Sequence, residues 1–246
     1  MRYLIISDIH ANMDAFETVL EHAAGRWDRA LVLGDLVGYG AEPNEAVERV
    51  RSLDPELVIR GNHDKAACGI DDGSNFNHVA RTAALWTGEQ LTPENRDYIR
   101  GLPMGPAQVD DLTEICHGTP FDEDHYIFDG HDASAALHAA SRPLCLFGHT
   151  HLPALFKLVA DVFEGIPLDP DADTVIPLQR GARYLVNVGS IGQPRDGDPR
   201  AAYGVLDDDA RELRTYRVSY PVEKQQQKII AAGLPASLAN RLALGR

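Results

Sequence analysis

The sequence predicts an α/β fold in which two mixed β-sheets pack together with helices on the outside. Three observations predict it. The first third alternates short apolar runs with amphipathic helical patterns, as consecutive βαβ units of a parallel sheet do. Most of residues 152–220 instead reads as strands separated by turn-rich pieces, the texture of antiparallel pairing. No internal repeat, low-complexity tract or linker divides the 246 residues, so they are read as one domain, 1–246.

The elements follow in order. "RYLIIS" is a buried strand, and Asn12 caps the helix "MDAFETVLEHAAG", whose Phe16, Val19, Leu20 and Ala23 recur at helical spacing before Gly25 stops it. "RALVLG" is a second strand, Pro43 opens the helix "PNEAVERVRSL", and "PELVIRG" is a third strand. Helices are predicted over 77–91 and 93–102, the latter capped by Thr92 with Pro93 in its first turn. "AQVDDLTEICHG" reads as two strands joined at Asp110 and Asp111, "DASAALHAA" as a helix and "PLCLFG" as a strand. The strand-rich stretch holds "ALFKLVA", "TVIPLQ", "RYLVNVGS", "AAYGVLD" and "ELRTYRVSY", separated by turns such as "LDPDAD" and "PRDGDPR". "PVEKQQQKIIAAG" and "PASLANRLALG" read as one or two closing helices.

Composition narrows the function. The formal net charge is −14, with no run of lysine or arginine, and phosphate-backbone binding draws on clustered positive charge. A long nucleic acid is therefore not an expected partner, whereas a small anion is compatible. No stretch approaches the ~20 apolar residues that span a bilayer, and the start turns acidic too soon for a signal peptide, so a cytoplasmic protein with no membrane partner is expected. Three cysteines, Cys68, Cys116 and Cys145, are too few and odd in number for a disulfide framework; Cys116 and Cys145 lie in apolar runs and read as small buried hydrophobes.

Open α/β sheets bind ligands in the loops after their strands. Here those loops share one chemistry: "SDIH" presents Asp8 and His10, "GDLVG" presents Asp35, "GNHD" presents Asn62, His63 and Asp64, "HGTP" presents His117, and "GHTH" presents His149 and His151. Taken alone, the two histidines of "GHTH" fit either a solvated turn or a shared ligand, since extended backbone past Gly148 puts positions i and i+2 on one face. Carboxylate, imidazole and amide donors without thiolate suit manganese, iron, zinc, nickel or cobalt. Such donors are too many for one tetrahedral site, and two ions ~3.5–4 Å apart that share a carboxylate, as in two-metal phosphoester hydrolysis, would use seven of them.

The ordered set "DIH", "GDLVG", "GNHD", "HGTP", "GHTH", running from Asp8 to His151, resembles the calcineurin-like metallophosphoesterases. The resemblance implies a four-layer α/β/β/α sandwich and a dinuclear, metal-dependent phosphoesterase acting on a small phosphorylated substrate, a phosphodiester or phosphomonoester. It implies that Asp8, His10 and His151 hold one divalent ion, that Asn62, His117 and His149 hold the other, and that Asp35 bridges them. A hydroxide lying between the ions would then attack phosphorus. By the same resemblance His63 contacts the phosphoryl group and protonates the leaving oxygen. Asp64 would accept the other ring N–H of His63, or cap a following helix, or both. "GQPRD" resembles a pattern of small bacterial and archaeal members, so Arg195 either pairs with phosphate or is a solvated loop residue. The loop "FDEDHYIFDGHD", with His125 and His131, is placed to overhang the site; His22, His78 and His138 are read as packing or surface residues. The chain lacks "DRG" and has "GNHD" in place of "GNHE", which argues against a protein phosphatase, and its acidity argues against a DNA-repair nuclease. Two alternatives stay open: a binding scaffold that retains the fold, and a hydrolase of nucleotides or dinucleoside polyphosphates.

Overall fold

The apolar run at the start of the chain divides its side chains between two environments. Leu4 and Ile6 pack with Phe16, Val19, Val47 and Ile99, whereas Tyr3 and Ile5 pack with Leu31, Leu144, Leu146 and Val186. Alternate residues of a strand face opposite sides of its sheet, so this strand separates a helical layer from a second sheet.

The computed structural model describes residues 1–169 and 173–246. In chain order the elements are β1 (Arg2–Ile6), α1 (Met13–His22), β2 (Arg29–Val32), α2 (Pro43–Ser52), β3 (Leu57–Val58), α3 (Asn62–Cys68), α4 (His78–Gln90), α5 (Pro93–Arg100), β4 (Ala107–Gln108), β5 (Thr113–Ile115), α6 (Gly130–Ala139), β6 (Leu144–Leu146), β7 (Ala154–Val159), β8 (Val162–Ile166), β9 (Thr174–Pro177), β10 (Arg183–Asn187), β11 (Ala201–Asp207), β12 (Glu212–Val218), α7 (Val222–Ala231) and α8 (Ala236–Leu242). The strands form two six-stranded sheets, ordered β3-β2-β1-β11-β12-β9 and β4-β5-β6-β10-β7-β8. In the first sheet β1, β2 and β3 run parallel, and in the second β5, β6 and β10 do; the remaining pairings are antiparallel.

Three apolar layers follow. Helices α1, α2 and α5 cover the outer face of the first sheet, a core of Tyr3, Ile5, Ile115, Leu146 and Tyr184 fills the space between sheets, and α6 covers the second sheet through Ala133, Ala136 and Leu137. This is the expected α/β/β/α sandwich. A fourth cluster packs α4 against α7 and α8 around Tyr39. Cys116 and Cys145 sit in the α6 layer as free, buried thiols with their sulfurs 3.6 Å apart.

The structure adds two elements to those read from the sequence. Helix α3 begins at Asn62 directly after the two-residue β3, and β8 pairs with β7 through a turn at Ala160 and Asp161, both at positive φ. The expected turn "LDPDAD" falls in part on residues 170–172, outside the described residues. Among the described residues, no helix is long and apolar enough to cross a membrane.

Candidate metal centre

The parallel strands of both sheets point their C-terminal ends to one place, and the backbone there leaves ordinary geometry. Asp8, His10, Asp35, Tyr39, His149 and His151 all have φ between +50° and +66°. Such conformations cost a non-glycine residue roughly 1–3 kcal/mol and persist where surrounding contacts enforce them. Those contacts are visible: Asp8 N–H donates to Gly34 C=O at 3.1 Å, His10 N–H to Asp35 C=O at 3.0 Å and Ala11 N–H to Leu36 C=O at 2.9 Å. The left-handed backbone corrects one expectation. Extended geometry ends at Leu146, so His149 and His151 do not share a strand face; the turn between them sends the two rings to different neighbours.

Two groups of donors result, Asp8, His10, Asp35 and His151 in one, Asp35, His117 and His149 in the other, each with its ligand atoms within 4.8 Å of one another. In the first, His10 Nε2 faces His151 Nε2 at 3.1 Å, and His151 Nε2 lies 3.4 Å from Asp8 Oδ1. In the second, His117 Nε2 lies 3.2 Å from both His149 Nδ1 and Asn62 Oδ1. Asp35 Oδ2 joins them, 3.5 Å from His10 Nε2 and 3.5 Å from His117 Nε2, buried and without a hydrogen bond. Its Oδ1 accepts from the His63 backbone N–H at 2.9 Å.

The far nitrogen of every one of these rings is held by a backbone carbonyl. His10 Nδ1 bonds Val37 C=O at 3.1 Å, His117 Nδ1 bonds Leu33 C=O at 2.7 Å, His149 Nε2 bonds Asp124 C=O at 3.0 Å and His151 Nδ1 bonds Gln193 C=O at 2.6 Å. A neutral imidazole has one N–H, and a carbonyl claims it, so the inward nitrogen carries a lone pair. In the first group, lone pairs therefore face lone pairs and carboxylates. A divalent cation relieves that conflict, and the donor set fits one. Gly61 and Gly148 make the close approach feasible, since a Cβ at Gly61 would lie on the Asp35 carboxylate and one at Gly148 on the Ser7 hydroxyl beside Asp8.

Charge follows burial and neighbours. Burial pushes His10 and His151 well below the usual imidazole range and His149 down to about 3. Burial also opposes charge on His117, but the Asp35 carboxylate, with Asp8 behind it, outweighs burial and raises that ring to about 10. Asp35 is the reciprocal case: burial opposes its ionisation, and His117, His63 and His10 hold it well below the carboxylate range. Burial, with Asp35 adding, lifts Asp8 to about 6. Near neutral pH the Asp35–His117 pair is therefore ionic and Asp8 largely ionised, with neutral imidazoles around them.

His63 lies beside this cluster, its ring centroid 5.0 Å from that of His10. Asp64 does not reach it. The Asp64 carboxylate accepts from the backbone N–H groups of Gly61 at 2.9 Å, Val37 at 3.1 Å and Leu36 at 3.2 Å, closing the N-terminus of α3, while His63 Nδ1 is buried without a hydrogen bond. Of the two roles expected for Asp64, the helix cap is the one formed. His63 is held instead by rings, Tyr39 at 4.2 Å and Phe76 at 4.7 Å, and burial lowers it to about 4 rather than favouring its protonated form. Arg195 reaches the cluster: its guanidinium bonds Gln193 Oε1 at 3.0 Å and Tyr39 OH at 3.5 Å, and its field acts on Asp8, His10 and His151.

The acidic loop does overhang the site, through Asp124 and Tyr126 rather than through His125 or His131. Tyr126 lies 3.8 Å from His149, ring to ring, whereas the His125 ring turns to Asp132, at 3.5 Å, and to Phe121. Lys65 ties the loop down, 2.6 Å from Asp124 Oδ2 and 3.0 Å from Glu123 Oε1, and Arg60 adds a second pair with Glu123 at 3.0 Å. Sequence reasoning missed Lys65; its place two residues after His63 in a chain with four lysines was the available signal. The remaining histidines are structural, as expected of His22, which bonds Tyr203 OH at 2.8 Å, and of His138, which bonds Ser134 C=O at 2.7 Å.

Comparison with known proteins agrees with this geometry. The calcineurin-like phosphoesterase superfamily domain matches residues 1–211. An uncharacterized protein of Methanocaldococcus jannaschii is 34% identical over 250 residues, covering 98% of this chain and 97% of its own. Phosphodiesterase YfcE of Escherichia coli is 24% identical over 221 residues, covering 85% of this chain and 89% of its own. The crystal structure of a metallophosphoesterase from Sphaerobacter thermophilus superimposes with a TM-score of 0.85 at 40% identity, covering 100% of this chain and 99% of that one. With the match spanning most of the chain and the buried Asp/His cluster at its strand ends, the protein belongs to the calcineurin-like phosphoesterase superfamily and is a hydrolase of phosphate esters.

Proposed function

We propose that the protein is a dinuclear metal-dependent phosphoesterase, with residues 1–246 acting as one domain. Asp8, His10 and His151 hold one divalent ion, Asn62, His117 and His149 hold the second, and Asp35 bridges them. The observation that carries this reading is the set of four rings whose outer nitrogens are spent on carbonyls while their ligand atoms gather within 4.8 Å of the Asp35 carboxylate. Manganese, iron, zinc, nickel and cobalt all suit these nitrogen and oxygen donors. Two such ions supply Lewis acidity toward phosphate oxygens and generate a nucleophile from water at neutral pH.

The chain's own groups do the rest. Arg195 has a guanidinium with no carboxylate partner among the described residues and a field that reaches the cluster, so it pairs with a non-bridging phosphate oxygen. His63, wedged between Tyr39 and Phe76, hydrogen-bonds the phosphoryl group, whose negative charge offsets the burial that keeps the ring neutral, and the proton it takes up in that state passes to the leaving oxygen. Asp64 acts one step removed, fixing the turn that presents Asn62 and His63. A binding scaffold that has shed catalysis is the weaker reading, because every donor position still carries a donor.

Hydrolysis of bis-p-nitrophenyl phosphate and p-nitrophenyl phosphate with added manganese tests the proposal. Turnover is expected with the native chain and a loss of more than about 100-fold in Asp35→Asn, beyond what loss of an outer-sphere partner costs. Equal turnover in the two proteins, or none with any divalent metal, would sink it.

A further inference from the structure

Beyond His63 the candidate centre opens into a cavity of about 220 Å³, bounded by Tyr39, Asn75, Phe76, Asn77, Asp124 and Tyr126. It lies below the ~300 Å³ at which ligand pockets usually begin, so it admits one compact group. Its walls touch both halves of the donor cluster, since Phe76 packs on His63 at 4.7 Å and Tyr126 on His149 at 3.8 Å. A group seated there is therefore attached to whatever phosphorus the cluster holds.

Charge decides what that group is. The one cation in the lining is Lys65, and it is neutralised by Asp124 at 2.6 Å and by Glu123 at 3.0 Å. Asp71 adds an acid with no cationic partner among the described residues. A second phosphate or a carboxylate would meet Asp71 and no unpaired cation in this lining, and like-charge repulsion opposes it in a partly desolvated pocket. The polar groups on offer are neutral. Asn75 is exposed and its amide has no partner among the described residues, while among these residues Asn77 spends its side-chain oxygen on Ala80 N–H at 3.0 Å and leaves its NH2 unspent. The rings of Tyr39, Phe76 and Tyr126, with neutral amide donors and acceptors beside them, complement an uncharged ring with a hydrogen-bonding edge.

We infer that this cavity is a subsite for the organic group of the phosphoester, an uncharged planar heteroaromatic ring of the kind a nucleoside carries, with Phe76 and Asn75 as its specificity-determining residues. The inference rests on the phosphoesterase reading for what is attached to the ring, and it places any further phosphates of the substrate outside this cavity.

Calorimetric titration of the manganese-loaded protein with adenosine, uridine and ribose tests it without turnover. The nucleosides are expected to bind about tenfold more tightly than ribose, and Phe76→Ala to weaken them about tenfold, the usual worth of a base resting on an aromatic ring. Asn75→Ala, on an exposed loop whose loss spares folding, is expected to weaken them about fivefold. Equal affinity for nucleoside and ribose, or native affinity in both variants, would overturn the inference. Nucleoside binding without hydrolysis of bis-p-nitrophenyl phosphate would instead sink the phosphoesterase reading and leave the subsite standing.

Discussion

The backbone carbonyl of Asp124 accepts a hydrogen bond from His149 Nε2 at 3.0 Å, and the side chain of the same aspartate is clamped by Lys65 at 2.6 Å. An ion pair on one side of the loop thus sets the orientation of an imidazole on the other. Lys65→Met should loosen the loop and weaken metal binding at the His117–His149 half by about 10–100-fold, the range seen when an outer partner of a metal ligand is lost. Manganese titration of metal-free protein reads this directly, and unchanged affinity at both sites would show that the clamp is only structural.

The two histidines nearest the cavity should separate by role. His63→Ala is expected to keep its metal while turnover falls by about 100-fold or more, the typical worth of a positioned proton donor. His149→Ala is expected to lose metal at one site. Elemental analysis beside kinetics distinguishes them, and loss of both metals from His63→Ala would contradict the assignment.

Asp64 should behave as a structural cap. Asp64→Ala leaves three buried backbone N–H groups, those of Leu36, Val37 and Gly61, without an acceptor. At roughly 1–3 kcal/mol for each unsatisfied group, unfolding stability is expected to fall by about 3 kcal/mol or more. Denaturant unfolding of the variant checks this; native stability coupled to a displaced pH–rate profile would restore the role of Asp64 as a partner of the His63 ring.

A stability term should also come from the closing helices. Asp14 on α1 pairs with Lys224 at 2.7 Å and Lys228 at 2.6 Å on α7. Burial opposes its charge, but the two lysines outweigh burial and hold its pKa below the ordinary 3.8. A depressed carboxylate stabilises the fold above its unfolded pKa, and that contribution disappears as pH falls through the lower folded value. Asp14→Asn should therefore cost about 1 kcal/mol near pH 7 and progressively less below pH ~4. Melting temperatures of both proteins across this range are the check; a gap that widens on acidification would contradict the pairing.

The donors were legible in the sequence because each follows an apolar run, and strand ends in an α/β sheet converge. The sandwich was legible for the same reason, through alternation in runs such as Tyr3 to Ile6. What escaped was local backbone and distant contact. Nothing in "GHTH" announces that His149 and His151 take φ of 66° and 60°, because non-glycine residues enter that region only when the surrounding fold enforces it. Helix α3 escaped because it is only seven residues long and starts inside the "GNHD" motif, although a helix-capping role for Asp64 was legible. The Lys65–Asp124 clamp spans 59 residues and leaves no local pattern. The hairpin strand β8 is short and largely exposed, so alternation barely marks it.

The central claim is that two ions share the Asp35 carboxylate and act together on one phosphoester. Its most direct test is the rate of bis-p-nitrophenyl phosphate hydrolysis as metal-free protein is titrated with manganese. The rate is expected to climb to a plateau at two equivalents per chain and to collapse in Asp35→Asn; a plateau at one equivalent, or an Asp35→Asn curve that overlays the native one, would rule out a shared, dinuclear site.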